Sequence, residues 1–423
     1  MRNLKNLFFC VSLPGLLAAT TSVASEYEIF DLGTLGGNWS GAYGINNSGQ
    51  VVGLSGTGSV EIHAFLWTES GGMKDIVGGI YSIANSINDS GQVVGAYSTG
   101  TETYAFLWTE SGGMKDLGTL GGRDSQALGI NNSGQVVGFS DISSEDDRAF
   151  LWTESGGMKD LGTLGGNQSQ AYGISDSGQV VGSSDTSSGE NHAFLWTESG
   201  GMKDLGTLGG SYSRADGIND SEQVVGWSET ASGECHAFLW TESAGMKDLG
   251  TLGGNNSQAF CINDSGQVGG HADTASGERH AFLWTADGGM KDLDTLGGND
   301  SIASGINNSG QVVGQSKTAT GESHACIWIP VTPETMLAGM ALFIMDEVDT
   351  GEIDADLEDS LLAKVKAALA ALEKGNPNNV QVAINDLKAL VNQVKAQAGK
   401  KITAGAAAEI ILRANEIITE LGG

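Results

Sequence analysis

The sequence repeats itself. A segment that opens with "DLGTLGG" at Asp31 returns at Asp75, Asp116, Asp160, Asp204, Asp248 and Asp292, at intervals of 44, 41, 44, 44, 44 and 44 residues. Seven of the nine tryptophans (Trp67, Trp108, Trp152, Trp196, Trp240, Trp284 and Trp328) keep the same phase, each ending "AFLW" or its variant "ACIW". A fixed period of this size marks a solenoid, a propeller or an array, because one unit alone cannot bury its apolar face.

The unit from Ser169 to Gly206 shows what repeats. "QAYGIS" leads into the turn "DSG", "QVVGSS" follows, the polar loop "DTSSGEN" precedes "HAFLW", and "TESGG" turns into "MKDLG". Glycine in these turns supplies the positive φ that tight antiparallel connections need. Four short strands per ~40–50 residues is the content of a propeller blade. No proline occurs between residues 31 and 329, as suits paired strands, since proline cannot donate to a ladder. The apolar residues alternate or cluster in short runs rather than recurring at helical spacing, which excludes a helical solenoid. A β-helix would repeat over shorter coils.

The ends of the array suggest its phase. It opens with "YEIFDLGTLGG", the last element of the cycle, and closes with "ACIWIP", the element before it. The expected fold is therefore an all-β, seven-bladed propeller of four-stranded repeats over residues 26–330, in which residues 27–35 supply the missing last strand. Closure of this kind removes two exposed sheet edges. The strand "AxGIN" should lie nearest the axis, and the "HAFLW" aromatics should pack in the core.

Residues 1–25 read as an export signal, with Arg2 and Lys5, an apolar stretch from Leu7 to Ala19 and small residues at Ser22-Val23-Ala24. The expected location is secreted or cell-surface, with no transmembrane segment in the mature chain. Cys235, Cys261 and Cys326 are scattered and read as buried small side chains rather than a disulfide or metal framework. A net charge of −30 among 423 residues argues against nucleic acid, whose phosphates call for clustered Lys and Arg.

"HAFLW", "MKDLGTLGG" and "GINNSGQVVG", recurring in register over about residues 27–330, resemble the HAF repeat of predicted extracellular prokaryotic proteins. The resemblance implies an exported repeat protein and brings no catalytic residues. Tyr104 and Arg148 depart from it, standing where other copies carry His63, His192, His236, His280 and His324, and the second unit is eroded to "DIVGGIYS".

After Pro333 the composition turns to Ala, Leu, Lys and Glu, and four helical segments form a bundle over residues 336–423, with residues 331–335 as linker. Leu361, Leu362, Val365, Ala368 and Leu369 fall on one stripe. "TGEIDADLEDSLLAKVKAAL", "NDLKALVNQVKAQAGKKIT" and "AAEIILRANEII" resemble the FIMAH domain appended to many exported proteins, which implies display or attachment. The acidic run "DEVDTGEIDADLED" lacks the spacing of a calcium loop, and no cofactor is expected.

No metalloprotease, hydrolase or nucleotide fingerprint is present. The pairs Glu190/His192, Glu234/His236, Glu278/His280 and Glu322/His324 read as turns entering strands. Sequons such as Asn38, Asn88, Asn167, Asn219 and Asn299 are turn residues that could accept glycans. Residues repeated in every unit are expected to hold the ring together, and function is sought in what differs. The differing positions are Trp39, Tyr81, Arg123, Gln168, Tyr212, Asn256 and Asp300, expected on loops of one face that binds an extracellular glycan or protein. The expectation is a protein that is not an enzyme. The alternative, a polysaccharide hydrolase or lyase, needs carboxylates in the central channel, where Asp216 is the obvious candidate.

Overall fold

The computed structural model describes residues 26–142, 146–372, 374 and 377–422. The expected export signal lies outside the described residues. The chain divides into a β unit, Ile29–Ile329, and a second unit that contains the helices from Pro330 onward.

The β unit is built from four-stranded antiparallel modules. One runs Gly165–Ile174, Val180–Thr186, Asn191–Thr197 and Gly201–Asp204. Its register pairs Ala171 with Gly182, Gly182 with Phe194, and Phe194 with Asp204. Phe194 is fully buried, and Trp196 nearly so, in a cluster that also holds Val180, Ala171 and Val137 of the preceding module. The repeated glycine of "QVVG" follows from this packing. A Cβ on Gly182 would lie 2.0 Å from the Gln170 carbonyl oxygen and 2.7 Å from the Phe194 ring, with no room for either to yield.

Modules are stapled by a buried serine. The Ala149 amide donates to Ser169 Oγ at 3.0 Å, and that hydroxyl donates to the Gly162 carbonyl at 2.6 Å. Ser213 and Ser257 repeat the arrangement. The same device joins the ends of the array, where the Ala325 amide donates to Ser40 Oγ at 2.8 Å. The strand Tyr27–Asp31 pairs with Ser323–Pro330, and the Leu32 amide donates to the Ala325 carbonyl at 2.9 Å.

The helices span Pro333–Asp349, Glu358–Leu372, Pro377–Gln397 and Ala404–Glu420. Thr332 and Thr335 form a reciprocal capping box at the first, with proline in its opening turn, and Thr403 caps the last. Leu361, Leu362, Val365, Ala368 and Leu369 are buried together, facing Leu337, Leu387 and Ile410. Among the described residues no helix is long and apolar enough to cross a membrane.

Candidate binding site

Six of the seven variable positions read as a loop face lie elsewhere, and Arg123 alone of the seven stands on a connection between strands. Trp39, Tyr81, Gln168, Tyr212, Asn256 and Asp300 each precede a stapling serine and stand inside the first strand of their module, not on a loop. Parallel bridges set Trp39 against Ser323, Tyr81 against Ile62, Tyr212 against Asn191 and Asp300 against Arg279, so these positions mark junctions between modules. Arg123 is out of register. Asp124 occupies the equivalent place before Ser125 and accepts from the Thr103 amide at 2.6 Å, while Arg123 reaches only to Glu102 at 3.6 Å. Two of the others serve their junctions. Asp300 is held by Arg279 Nη2 at 3.0 and 2.8 Å, and Asn256 accepts from the Cys235 amide at 3.2 Å while donating to Asp273 at 2.9 Å.

Gln168 and Tyr212 share a cavity. It encloses about 240 Å³ and is lined as well by Gln170, Tyr172, Asn191, Arg214 and Trp227. Tyr212 and Trp227 lie nearly parallel, with ring centroids 6.1 Å apart and planes 6° from coincident. The Arg214 guanidinium lies 4.5 Å from the Tyr172 ring centroid and 5.9 Å from that of Trp227. Tyr172 donates its hydroxyl to Gln170 Oε1 at 2.6 Å, and Gln170 donates to Asp147 at 2.7 Å. An aromatic platform bordered by amides is what a sugar needs, since its C–H face packs on rings and its hydroxyls bond to amides.

The lining of the cavity comes from strand positions that vary between modules. Arg214 pairs in register with Trp227, where other modules set Gly41 against Leu54, Gln126 against Phe139, Gln170 against Ser183 and Ile302 against Gln315. The signal was present in the sequence at the position before "AxGI" and in the residue after "VVG". Local pattern alone reads such strand residues as packing residues.

Arg214 is held in place by Asp216, with Nη2 donating to Oδ1 at 2.5 Å and Nε to Oδ2 at 3.1 Å. Burial lifts the Asp216 carboxyl to about 6, although the Arg214 charge and its hydrogen bond pull the other way. Burial likewise raises the Tyr172 hydroxyl.

Asp216 lines a second cavity of about 240 Å³, with Tyr43, Asn85, Tyr172, Phe260 and Ser304. The first strands converge on it, as "AxGIN" suggested, and the side chain at the variable position of that motif changes from module to module, with tyrosine in two of them, Tyr43 and Tyr172. Isoleucines such as Ile45, Ile130, Ile218 and Ile306 line both this cavity and a third one, of about 270 Å³, made by the "INN" and "IND" turns. Those turns hydrogen-bond in a closed circle. The backbone amide of Asn47 donates to Asp89 Oδ1, and the chain of bonds passes through Asn132, Asp176, Asp220, Asp264 and Asn308 back to Asn47 at 2.8–3.2 Å. A deeper amide series runs from Asn46 to Asn88 to Asn131 to Ser175, and from Asn219 through Asn263 and Asn307 back to Asn46. Ser175 has no amide to give, and Gln179 Oε1 is left buried without a partner.

The Glu and His pairs act within their modules. His192 Nδ1 lies 2.9 Å from Asp204 and its Nε2 3.9 Å from Glu190. Where Tyr104 replaces the histidine, Tyr97 bonds to Asp116 at 3.0 Å. Among the described residues no group of three His, Cys, Asp or Glu is placed to hold a metal ion. Cys235, Cys261 and Cys326 are free, and burial pushes the Cys261 thiol up to about 12. Asn88 and Asn219 are buried and bonded in the amide series, so folded protein cannot offer them for glycosylation.

No curated protein matches the chain significantly in sequence. Its fold is similar to TolB from Acinetobacter baumannii, at 10% identity and a TM-score of 0.40, covering 66% of this chain and 79% of that one. It is also similar to a gluconolactonase from Xanthomonas campestris, at 10% identity and a TM-score of 0.39, covering 71% and 88%. A third likeness is to the acylaminoacyl peptidase of Pyrococcus horikoshii, at 12% identity and a TM-score of 0.44; it covers 70% of this chain and only 52% of the peptidase. These likenesses concern a propeller-like fold alone. The expectation of a protein that is not an enzyme is corrected to this extent: propeller-like folds similar to this one include a gluconolactonase and a peptidase, so the architecture gives no ground for it. The helical segment has a family of its own, for residues 337–419 match the FIMAH domain.

Proposed function

We propose that the chain is an exported protein that binds an extracellular glycan through the cavity at Tyr212, Trp227 and Arg214, with the FIMAH domain as its attachment module. In this reading the β unit is a closed ring of seven blades of the HAF-repeat type. The circle of hydrogen bonds through the "INN" and "IND" turns supports the ring. The observation that carries the function is the Tyr212–Trp227 pair, parallel within 6°, beside the amides of Gln168, Gln170 and Asn191. Such a surface recognises a neutral, hydroxyl-rich ligand, which also suits a chain of net charge −30 that repels anions at long range. The test is a glycan array with full-length protein, repeated with Tyr212→Ala and Trp227→Ala. Retention of every hit by both variants would place binding elsewhere.

A second reading, hydrolysis of the bound chain, is favoured by Asp216, whose carboxyl, lifted to about 6, can hold and release a proton near neutral pH. Release of reducing ends that disappears in Asp216→Asn would establish it.

A further inference from the structure

We infer that the site takes the end of an oligosaccharide chain, the terminal sugar entering the axial cavity at Asp216 while the next stacks on Tyr212 and Trp227. The inference rests on the glycan-binding reading. Tyr172 lines both the junction cavity and the axial one, and the Arg214–Asp216 pair spans them, with Arg214 in the first and Asp216 in the second. Exposure falls along this line. Tyr212 is 48% exposed at the outer end, and the Asp216 side chain is 8% exposed at the inner end.

The inner end offers a passing sugar chain no hydrogen bonds. Beyond Asp216 stand the isoleucines shared with the turn cavity, an apolar collar with no hydrogen-bonding side chain for a hydroxyl-covered strand passing through. On the near side, Tyr43, Phe260 and Tyr172 offer ring surface, and Asp216, Asn85 and Ser304 offer acceptors and donors. The volume of about 240 Å³ lies just under the roughly 300–1,000 Å³ usual for small-ligand pockets, room for a terminal unit and not for a folded-back chain.

The experiment titrates full-length protein with cello-oligosaccharides of two to six units and with manno-oligosaccharides of the same lengths. The better series is repeated with its hexamer O-methylated at the non-reducing end or reduced at the other. Affinity should rise to two or three units and then level off, and one of the two end modifications should weaken binding about tenfold or more. Ser304→Phe, a plug that the fold accepts because Phe260 and Tyr43 occupy the same strand position, should weaken binding of the unmodified hexamer as much. Affinity that climbs with every added unit, and is indifferent to both end modifications and to Ser304→Phe, overturns chain-end recognition and leaves glycan binding standing. Where the array selects another sugar, the same titration is run with that sugar's oligomers; no binding of either series and no hit on the array overturns both.

Discussion

His324 Nδ1 lies 2.7 Å from Asp31 Oδ2, across 293 residues of sequence. The same imidazole–carboxylate contact occurs inside a module between His192 and Asp204, 12 residues apart. The ends of the array are thus joined by the bond that elsewhere joins neighbouring strands.

That bond is the smaller part of closure. The Asp31 side chain is 39% exposed, so solvent screening holds the loss in Asp31→Ala or His324→Ala to about 0.2–1 kcal/mol in urea unfolding. Removal of residues 26–31 strips the partner from Ser323–Pro330 and exposes a strand edge. That variant should self-associate in light scattering while the point variants stay dispersed.

Tyr212→Ala and Trp227→Ala should each weaken glycan binding about tenfold or more, as loss of an aromatic anchor does. Asp300→Ala, which unpairs Arg279 at a different junction, should lower the melting temperature and leave the dissociation constant unchanged. Equal loss of binding in all three would mean that the fold, not the cavity, was being measured.

Binding should weaken as pH falls through about 6, where Asp216 takes up a proton and ceases to be a pure acceptor and the ionic partner of Arg214. In Asp216→Asn the profile between pH 5 and 7 should be flat. Calorimetric titration at successive pH values reads both.

His63 gives a separate pH signature, in stability. Burial opposes its charge, but the Asp75 hydrogen bond, the Gly79 carbonyl and the Asp75 and Glu61 charges outweigh it, so its pKa is raised from 6.5. A raised folded-state pKa stabilises fully below the unfolded value and loses that contribution as pH rises through the folded one. The gap in melting temperature between wild type and His63→Gln should therefore be widest below pH 6.5 and narrow above it.

Gly182→Ala should abolish soluble protein or cost more than about 4 kcal/mol, because the added carbon meets the Gln170 carbonyl at 2.0 Å with Phe194 behind it. Gly201→Ala, at φ +68 with open space around its Cβ position, should cost about 1 kcal/mol and still fold.

Much of the module was legible in one copy of the repeat. The turns at "DSG" and "ESGG", the buried Phe and Trp of "HAFLW" and the stripe from Leu361 to Leu369 follow from local pattern, because each is set by neighbours within a few tens of residues. Asp216 was also legible, as a carboxylate interrupting a small-residue strand. The partners of Asp216 were not. Gln170, Arg214 and Trp227 lie inside strands, where local pattern reads a side chain as packing, and their meeting with Asp216 and Tyr172 depends on how two modules pack.

The sequence by itself determined the period, the strand order within a module and the helical segment, since hydrophobic alternation and turn chemistry act over short range. Only the tertiary structure decided the site. Gln170 and Tyr172 belong to one repeat and Tyr212, Arg214 and Trp227 to the next, and they meet because Asn191 and Tyr212 stand side by side at the junction of two modules. Side chains more than forty residues apart become one cavity when modules pack, and no periodicity within a single repeat encodes which of several similar junctions will carry the aromatic pair.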